Sequence, residues 1–308
     1  MPCRAVAEQP VRYTCGMTLA FPDGRVMTLD RPRIMGILNV TPDSFSDGGR
    51  HDARDAAVAH ARAMLDQGAD VIDIGGESTR PGAARVAASE QIARTVAVVR
   101  AVHELIDARQ SHAVVSIDTT LADVAEAAID AGAVMINDVA AGREDERMFT
   151  LATERRTPIV LMHMLGEPGT MQDQPRYDNV VNEIETFLIE RAEVAMLAGV
   201  ARERIMIDPG IGFGKTRAHN LALISALDRF VATGFPVLLG TSRKRFMGAI
   251  CTPTDGATPR PDELVGATCA TTALGVAAGV AMFRVHDVRA NRQAADVAHA
   301  ILHDDRSS

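Results

Sequence analysis

A chain of 308 residues with 47% hydrophobic content can bury a substantial core, and its length suits one large α/β barrel or two smaller domains. The formal charge of -8, with Lys and Arg spread along the chain and no basic block, argues against a nucleic-acid surface. Four scattered cysteines (Cys3, Cys15, Cys251, Cys269) form no CxxC pair, and no apolar run approaches the about 18 residues of a membrane span, so a reducing, cytoplasmic setting away from the membrane is expected.

Residues 1–32 stand apart as a short N-terminal segment. Two apolar runs, Met17–Ala20 and Val26–Leu29, flank the turn-forming FPDGR stretch at 21–25, the pattern of a hairpin able to plug the N-terminal face of a barrel.

From residue 33 to 305, short apolar runs alternate with Ala-rich stretches of helical period, which predicts repeated βα units in one domain. Strands are expected at Arg33–Asn39, Asp70–Gly75, Ala113–Asp118, Val134–Asp138, Pro158–Met162, Ile205–Asp208, Pro236–Gly240 and Ala281–Val285. The helices between them fall at Ala53–Gln67, Ser89–Ala108, Leu121–Ala131, Asp145–Thr153, Asn179–Leu197, Ala218–Val231, Asp262–Ala278 and Arg289–His303. Gly68, Gly132, Gly199 and Gly234 stand just beyond helix ends, where a left-handed cap needs glycine. The Pro-rich stretch Cys251–Pro261 reads as a loop. Such a series fits either a closed barrel or a doubly wound open sheet; eight units favour the (β/α)8 barrel.

Both solutions place ligands at the C-terminal ends of the strands, and polar residues gather there: Asn39, Glu77, Asp118, Asn137, Asp138, His163, Asp208, Ser242 to Lys244, Arg284 and His286. Each alone reads equally well as a helix N-cap or a satisfied strand end. Together they imply a polar ring, because a parallel strand buried on both faces has little reason to end in acid or amide. Asp118, Asn137 and Asp208 offer acceptors to a flat heterocycle rich in N–H groups. Lys244, Arg284 and His286 offer positive charge to phosphate oxygens or a polarised carbonyl.

The DPGIGFGKT stretch at 208–216 is not a phosphate loop, since Pro209 occupies a required glycine position, and its spacing does not match GxGxxG. Its glycines suggest a tight loop passing close to a flat ligand. No HExxH, EF-hand or paired-Cys spacing is present, so a metal would arrive as Mg2+ with substrate phosphates. Asp73 and Glu77 read as acids that fix loops, His163 as a core histidine, and the 14 methionines as core packing.

Two long segments, GILNVTPDSFSDG at 36–48 and DIGGESTRPG at 73–82, resemble the signatures of the dihydropteroate synthases. SIDT at 116–119, INDV at 136–139, MHM at 162–164, GTMQ at 169–172, DPGIGF at 208–213, GTSRK at 240–244 and FRVH at 283–286 extend the resemblance over residues 33–290. It implies condensation of a dihydropterin methyl diphosphate with 4-aminobenzoate, with release of pyrophosphate.

By the same resemblance, Asn39 contacts the accompanying Mg2+, while Arg284 and His286 hold the diphosphate. Asp118, Asn137, Asp208 and Lys244 line the pterin slot, Val139, Met162 and Gly240 also bind substrate, and Asp118, Lys244, Arg284 and His286 carry the chemistry. Thr79, Arg80 and Pro81, like Thr41 to Asp47, belong to loops that close over the substrates. Phe45, Pro81 and Phe213 wall the aminobenzoate pocket, whose carboxylate end lies at the helix after Lys244; Arg245 stands there where the family often has Ser. A homodimer through the last barrel helices is also implied. A methyltetrahydrofolate:corrinoid methyltransferase or a catalytically silent pterin-binding paralogue would share the barrel and slot, and turnover of the two substrates separates the three.

Overall fold

A computed structural model describes residues 16–40, 50–78, 82–166, 169–254 and 256–303. The chain opens with an antiparallel hairpin, β1 (Thr18–Ala20) and β2 (Val26–Thr28), in which Leu19 opposes Met27. The alternating units follow: β3 (Arg33–Asn39), α1 (Arg50–Asp66), β4 (Val71–Gly75), α2 (Ala88–Ala108), β5 (Val114–Asp118), α3 (Ala122–Asp130), β6 (Met135–Asp138) and α4 (Arg147–Glu154). The second half continues with β7 (Ile159–Met162), α5 (Val180–Leu197), β8 (Ile205–Asp208), α6 (Arg217–Ser225), α7 (Leu227–Ala232), β9 (Leu238–Leu239), α8 (Arg245–Cys251), α9 (Val265–Ala278), β10 (Met282–Val285) and α10 (Val288–His303).

Strands β3 to β10 form one parallel sheet in the order β8-β7-β6-β5-β4-β3-β10-β9. A parallel bridge between Ile207 and Val237 joins the two ends, so the sheet closes into a (β/α)8 barrel. Period-2 alternation then sorts the side chains. One residue from each barrel strand (Met35, Val71, Val114, Met135, Val160, Met206, Leu238, Met282) packs inward against Leu19, Phe21, Met27 and Leu29, so the hairpin seals the N-terminal end as its pattern predicted. Outward residues such as Ile72, Ile117, Ile159 and Phe283 are buried beneath the helices, each worth about 1.5–3 kcal/mol relative to exposure. Gly275 allows α9 to lie close, because a Cβ there would fall 2.6 Å from the Phe283 ring.

Two steps further along the inward face of the strands, the same parity presents Asp73, Ser116, Asn137, Asp208 and Arg284 to the barrel interior. The hydrophobic plug therefore forces the polar layer to the opposite, C-terminal end.

The helix expected over 218–231 is instead two, α6 and α7, because the backbone leaves helical angles at Ala226 (φ -115, ψ 25); beyond the turn Leu227 and Phe230 are both buried. The helix expected from Asp262 begins at Val265, preceded by a single 3-10 turn over Pro261–Glu263. Only Leu238–Leu239 of the expected 236–240 strand is paired as a strand. Among the described residues no helix is long and apolar enough to cross a membrane.

Candidate active site

A cavity of about 760 Å³ opens at the C-terminal ends of the barrel strands. It brings together Asn39, Asn137, Val139, Met162, Asp208, Phe213, Gly240, Lys244, Arg284 and His286, all expected at the site from the sequence. Asp118 lies against it, in a smaller recess shared with Glu77 and Arg85. Phe45, Thr79, Arg80 and Pro81 lie outside the described residues.

The floor is a charged hydrogen-bond network. Arg284 donates through Nε to Asp73 Oδ2 at 2.7 Å and through Nη2 to Asp118 Oδ2 at 2.6 Å. Asn137 Nδ2 donates to the same Asp73 oxygen at 3.0 Å. Burial works against the Arg284 charge, yet Asp73 and Asp118 outweigh it and hold the guanidinium above its ordinary range. Burial also pushes the Asp118 carboxyl up to about 7 against the pull of Arg284, with Asp73, Asp138 and Glu77 adding repulsion.

Opposite this network, Asp208 Oδ1 accepts from the Gly210 N–H at 2.7 Å. Burial raises the Asp208 carboxyl, opposed first by Lys244. The Lys244 ammonium bonds to the Ile211 carbonyl and lies 4.4 Å from the centre of the Phe213 ring. Burial drives that ammonium down to about 7, Asp208 opposing and Arg284 adding to the fall.

The glycines of the 208–216 loop also pack closely against protein, while Gly212 lines the cavity. A Cβ on Gly210 (φ 67) would fall 1.9 Å from the His163 carbonyl, and one on Gly212 (φ 83) 2.9 Å from Lys244 Cδ. Glycine is required for close packing against protein atoms. Gln172 fixes the loop from the other side, donating to the Gly212 carbonyl at 2.6 Å.

At the rim, Ser242 Oγ accepts from the His286 backbone N–H at 3.1 Å and lies 3.0 Å from His286 Nδ1. In the tautomer in which the hydroxyl donates to Nδ1, the imidazole proton sits on Nε2, suited to an anionic oxygen. Neighbouring Arg243 is tied to Asp287 by two bonds of 2.7 and 3.0 Å. Arg245 lines the outer cavity and is exposed.

His163 is a core histidine, as its sequence reading has it, and no member of the polar ring: its ring contacts Lys215 Nζ at 3.0 Å and packs edge-on against Phe187, and burial with Lys215 drives it down to about 2, so it stays neutral. Other expectations are corrected. Asp138 turns away to accept from the Ala140 and Gly142 N–H groups at 2.8 and 2.6 Å. Glu77 does fix a loop, accepting from Gln91 at 2.7 Å. Asp73 instead grips two cavity residues. Lys215 had no assigned role, although it follows the glycine run directly; it is buried at the cavity and bonds to His163 and Phe213 carbonyls. The methionines are less scattered than they read, for Met162, Met164 and Met171 cluster with Val139 and Phe213 as an apolar wall.

The fit to a magnesium ion can be tested at Gly75. A Cβ there would lie 3.6 Å from Asp118 Oδ2 and 3.7 Å from Asn39 Oδ1. Hard oxygen atoms, the donor type Mg2+ takes when it shares its coordination with phosphates, thus lie near Gly75, with Asp118 Oδ2 already accepting from Arg284.

The pterin binding enzyme family matches residues 35–286. The dihydropteroate synthase of Mycobacterium leprae is 46% identical over 278 residues, covering 90% of this chain and 96% of the relative, and that of Escherichia coli is 39% identical over 92% and 96%. A Xanthomonas albilineans dihydropteroate synthase solved with 4-aminobenzoic acid superimposes with TM-score 0.82 at 44% identity, covering 91% of this chain and 97% of its own. A Yersinia pestis dihydropteroate synthase in a sulfonamide drug complex gives TM-score 0.83 at 39% identity over 92% and 99%. This chain belongs to the pterin binding enzyme family and, within it, to the dihydropteroate synthases.

Proposed function

We propose that the cavity joins (7,8-dihydropterin-6-yl)methyl diphosphate to 4-aminobenzoate, giving 7,8-dihydropteroate and pyrophosphate, with the C–O bond to the diphosphate breaking before the new C–N bond forms. The observation that carries this reading is one cavity holding both an acceptor floor for a heterocycle (Asp208, Asn137) and cations (Lys244, Arg284, His286). A methyltetrahydrofolate substrate carries no diphosphate and leaves those cations without a purpose.

Asp208 and Asn137 hold the pterin ring by its N–H edge, and the Met162 and Met171 wall packs against its face. Arg284 and His286 Nε2 receive the oxygens of the leaving pyrophosphate, which departs with the bonding electron pair. The electron-rich dihydropterin spreads the resulting positive charge. The aminobenzoate nitrogen, held beside Phe213, then attacks the methylene carbon and releases its proton to water or pyrophosphate. No side-chain nucleophile takes part.

Magnesium, when bound, supplies charge neutralisation for the diphosphate. Asn39 would hold it beside Gly75.

A homodimer is part of this reading, supported by Leu274 on α9 and Val297 and Ile301 on α10, exposed by 59%, 60% and 74%. Sedimentation of the purified chain over a range of concentrations tests it. Cys251 and Cys269 are free thiols, which supports the cytoplasmic setting.

Turnover with both substrates and Mg2+ tests the reaction. Equimolar dihydropteroate and pyrophosphate are expected, and their absence from a folded preparation that binds pterin would assign the chain to a catalytically silent role.

A further inference from the structure

We propose that Asp73, which touches no substrate, is the positioning residue of the pterin slot. It is fully buried on β4 and lines no part of the cavity. One oxygen, Oδ2, takes hydrogen bonds from Arg284 on β10 and Asn137 on β6, each two strands away around the barrel in opposite directions. Both partners line the cavity. Asp73 is therefore the atom-level link between the half that meets the heterocycle and the half that meets the diphosphate.

Two consequences follow from Oδ2 accepting both bonds. A carboxylate only accepts, so the Asn137 amide must turn its NH2 toward Asp73 and its oxygen away, which fixes the hydrogen-bond polarity that Asn137 presents to a ligand. The Arg284 guanidinium is likewise held in one plane between Asp73 and Asp118, leaving Nη1 and the second hydrogen of Nη2 in a set direction. Asp73 Oδ1 finds no hydrogen-bond partner among the described residues, and neither does Ser116 Oγ on the neighbouring strand, paired with Asp73 in register. The acid bears the cost of burial while its bonds serve only the two cavity residues.

The inference rests on the proposed reaction and is tested by Asp73→Asn. The variant keeps the volume, retains an acceptor for Arg284 and Asn137, and places an NH2 near Ser116 Oγ, so it is expected to fold. It loses the charge and lets the Asn137 amide reverse. The KM for the pterin diphosphate should rise about tenfold, the scale of a lost charge-assisted bond, while that for aminobenzoate stays within about twofold. In an Asn137→Ala background, the effect of Asp73→Asn on binding of a pterin without diphosphate should shrink below about threefold, because the intermediary is gone. Equal changes in both KM values, or an undiminished effect in the Asn137→Ala background, would overturn the proposal. Asp73→Ser serves if the Asn variant does not fold, and failure of both to fold makes Asp73 a folding residue and also overturns it. A wholly inactive protein that still shows the pterin effect by calorimetry would refute the proposed reaction and leave the positioning role standing.

Discussion

The ammonium of Lys244 lies 4.4 Å from the centre of the Phe213 ring, so the start of α8 is clasped to the loop after β8. Burial brings the ionisation of the lysine to about 7, with Asp208 resisting the fall and Arg284 adding to it. A pterin carbonyl accepting from Lys244 favours the charged form, so binding at pH 8 should take up close to one proton and at pH 6 almost none. Calorimetry in two buffers of different ionisation enthalpy reads this, and binding at pH 8 without uptake would contradict it. The unfolded chain keeps this proton up to its ordinary 10.5, so the contribution of Lys244 to stability rises with pH from about 7 to 10.5.

Asp208→Asn should fold normally, since an amide oxygen still accepts from the Gly210 N–H. Its NH2 would then face the N–H edge of the pterin, donor against donor, at a cost of about 1–3 kcal/mol in binding. Calorimetry with pterin decides, and unchanged affinity would remove Asp208 from the slot.

Arg284 and His286 should separate on mutation. Arg284→Ala leaves Asp73 and Asp118 buried without their shared cation, and the melting transition should fall by the equivalent of about 3–5 kcal/mol. His286→Ala should melt like the parent but bind pyrophosphate about tenfold more weakly, with pterin affinity unchanged. An Arg284→Ala protein as stable as its parent, or a His286→Ala protein with parental pyrophosphate affinity, would break this assignment.

Most of the barrel was legible because each strand is a short apolar run and several close on a polar residue, as Asn39, Asp118 and Asp208 display directly. What escaped depends on direction. Asp138 follows inward-facing Asn137, and a one-residue step along a strand turns its side chain off the cavity. Asp73 escaped for the converse reason. It stands in mid-strand amid apolar residues, and only the closed sheet brings it to Asn137 and Arg284. The break at Ala226 leaves no local mark, since alanine favours a continuous helix.

His163→Gln isolates one source of acid sensitivity. Burial and Lys215 hold the native ring at about 2, so the folded protein cannot take the proton that the unfolded chain binds below 6.5. Stability is therefore lost as pH falls through 6.5, by about 2 kcal/mol at pH 5 from this group. Glutamine supplies an oxygen to Lys215 without titrating. The stability gap between parent and variant should narrow by that amount between pH 7 and pH 5 in urea titrations, and a constant gap would show that His163 is not the cause.

The central claim is that the pocket is completed by its first substrate and its leaving group before the second substrate binds. A cavity of about 760 Å³ is far larger than one aminobenzoate, whose single carboxylate and ring would leave most of its wall in water. With the pterin on Asp208 and Asn137, and pyrophosphate on Arg284 and His286, the remaining space narrows to a slot beside Phe213. Titrating 4-aminobenzoate into the ligand-free protein, then into protein saturated with pterin, pyrophosphate and Mg2+, measures the difference directly. At least about tenfold tighter binding to the loaded protein is expected, or some 1.4 kcal/mol. Equal affinity in the two titrations would contradict the ordered scheme and favour direct displacement by an amine already in place.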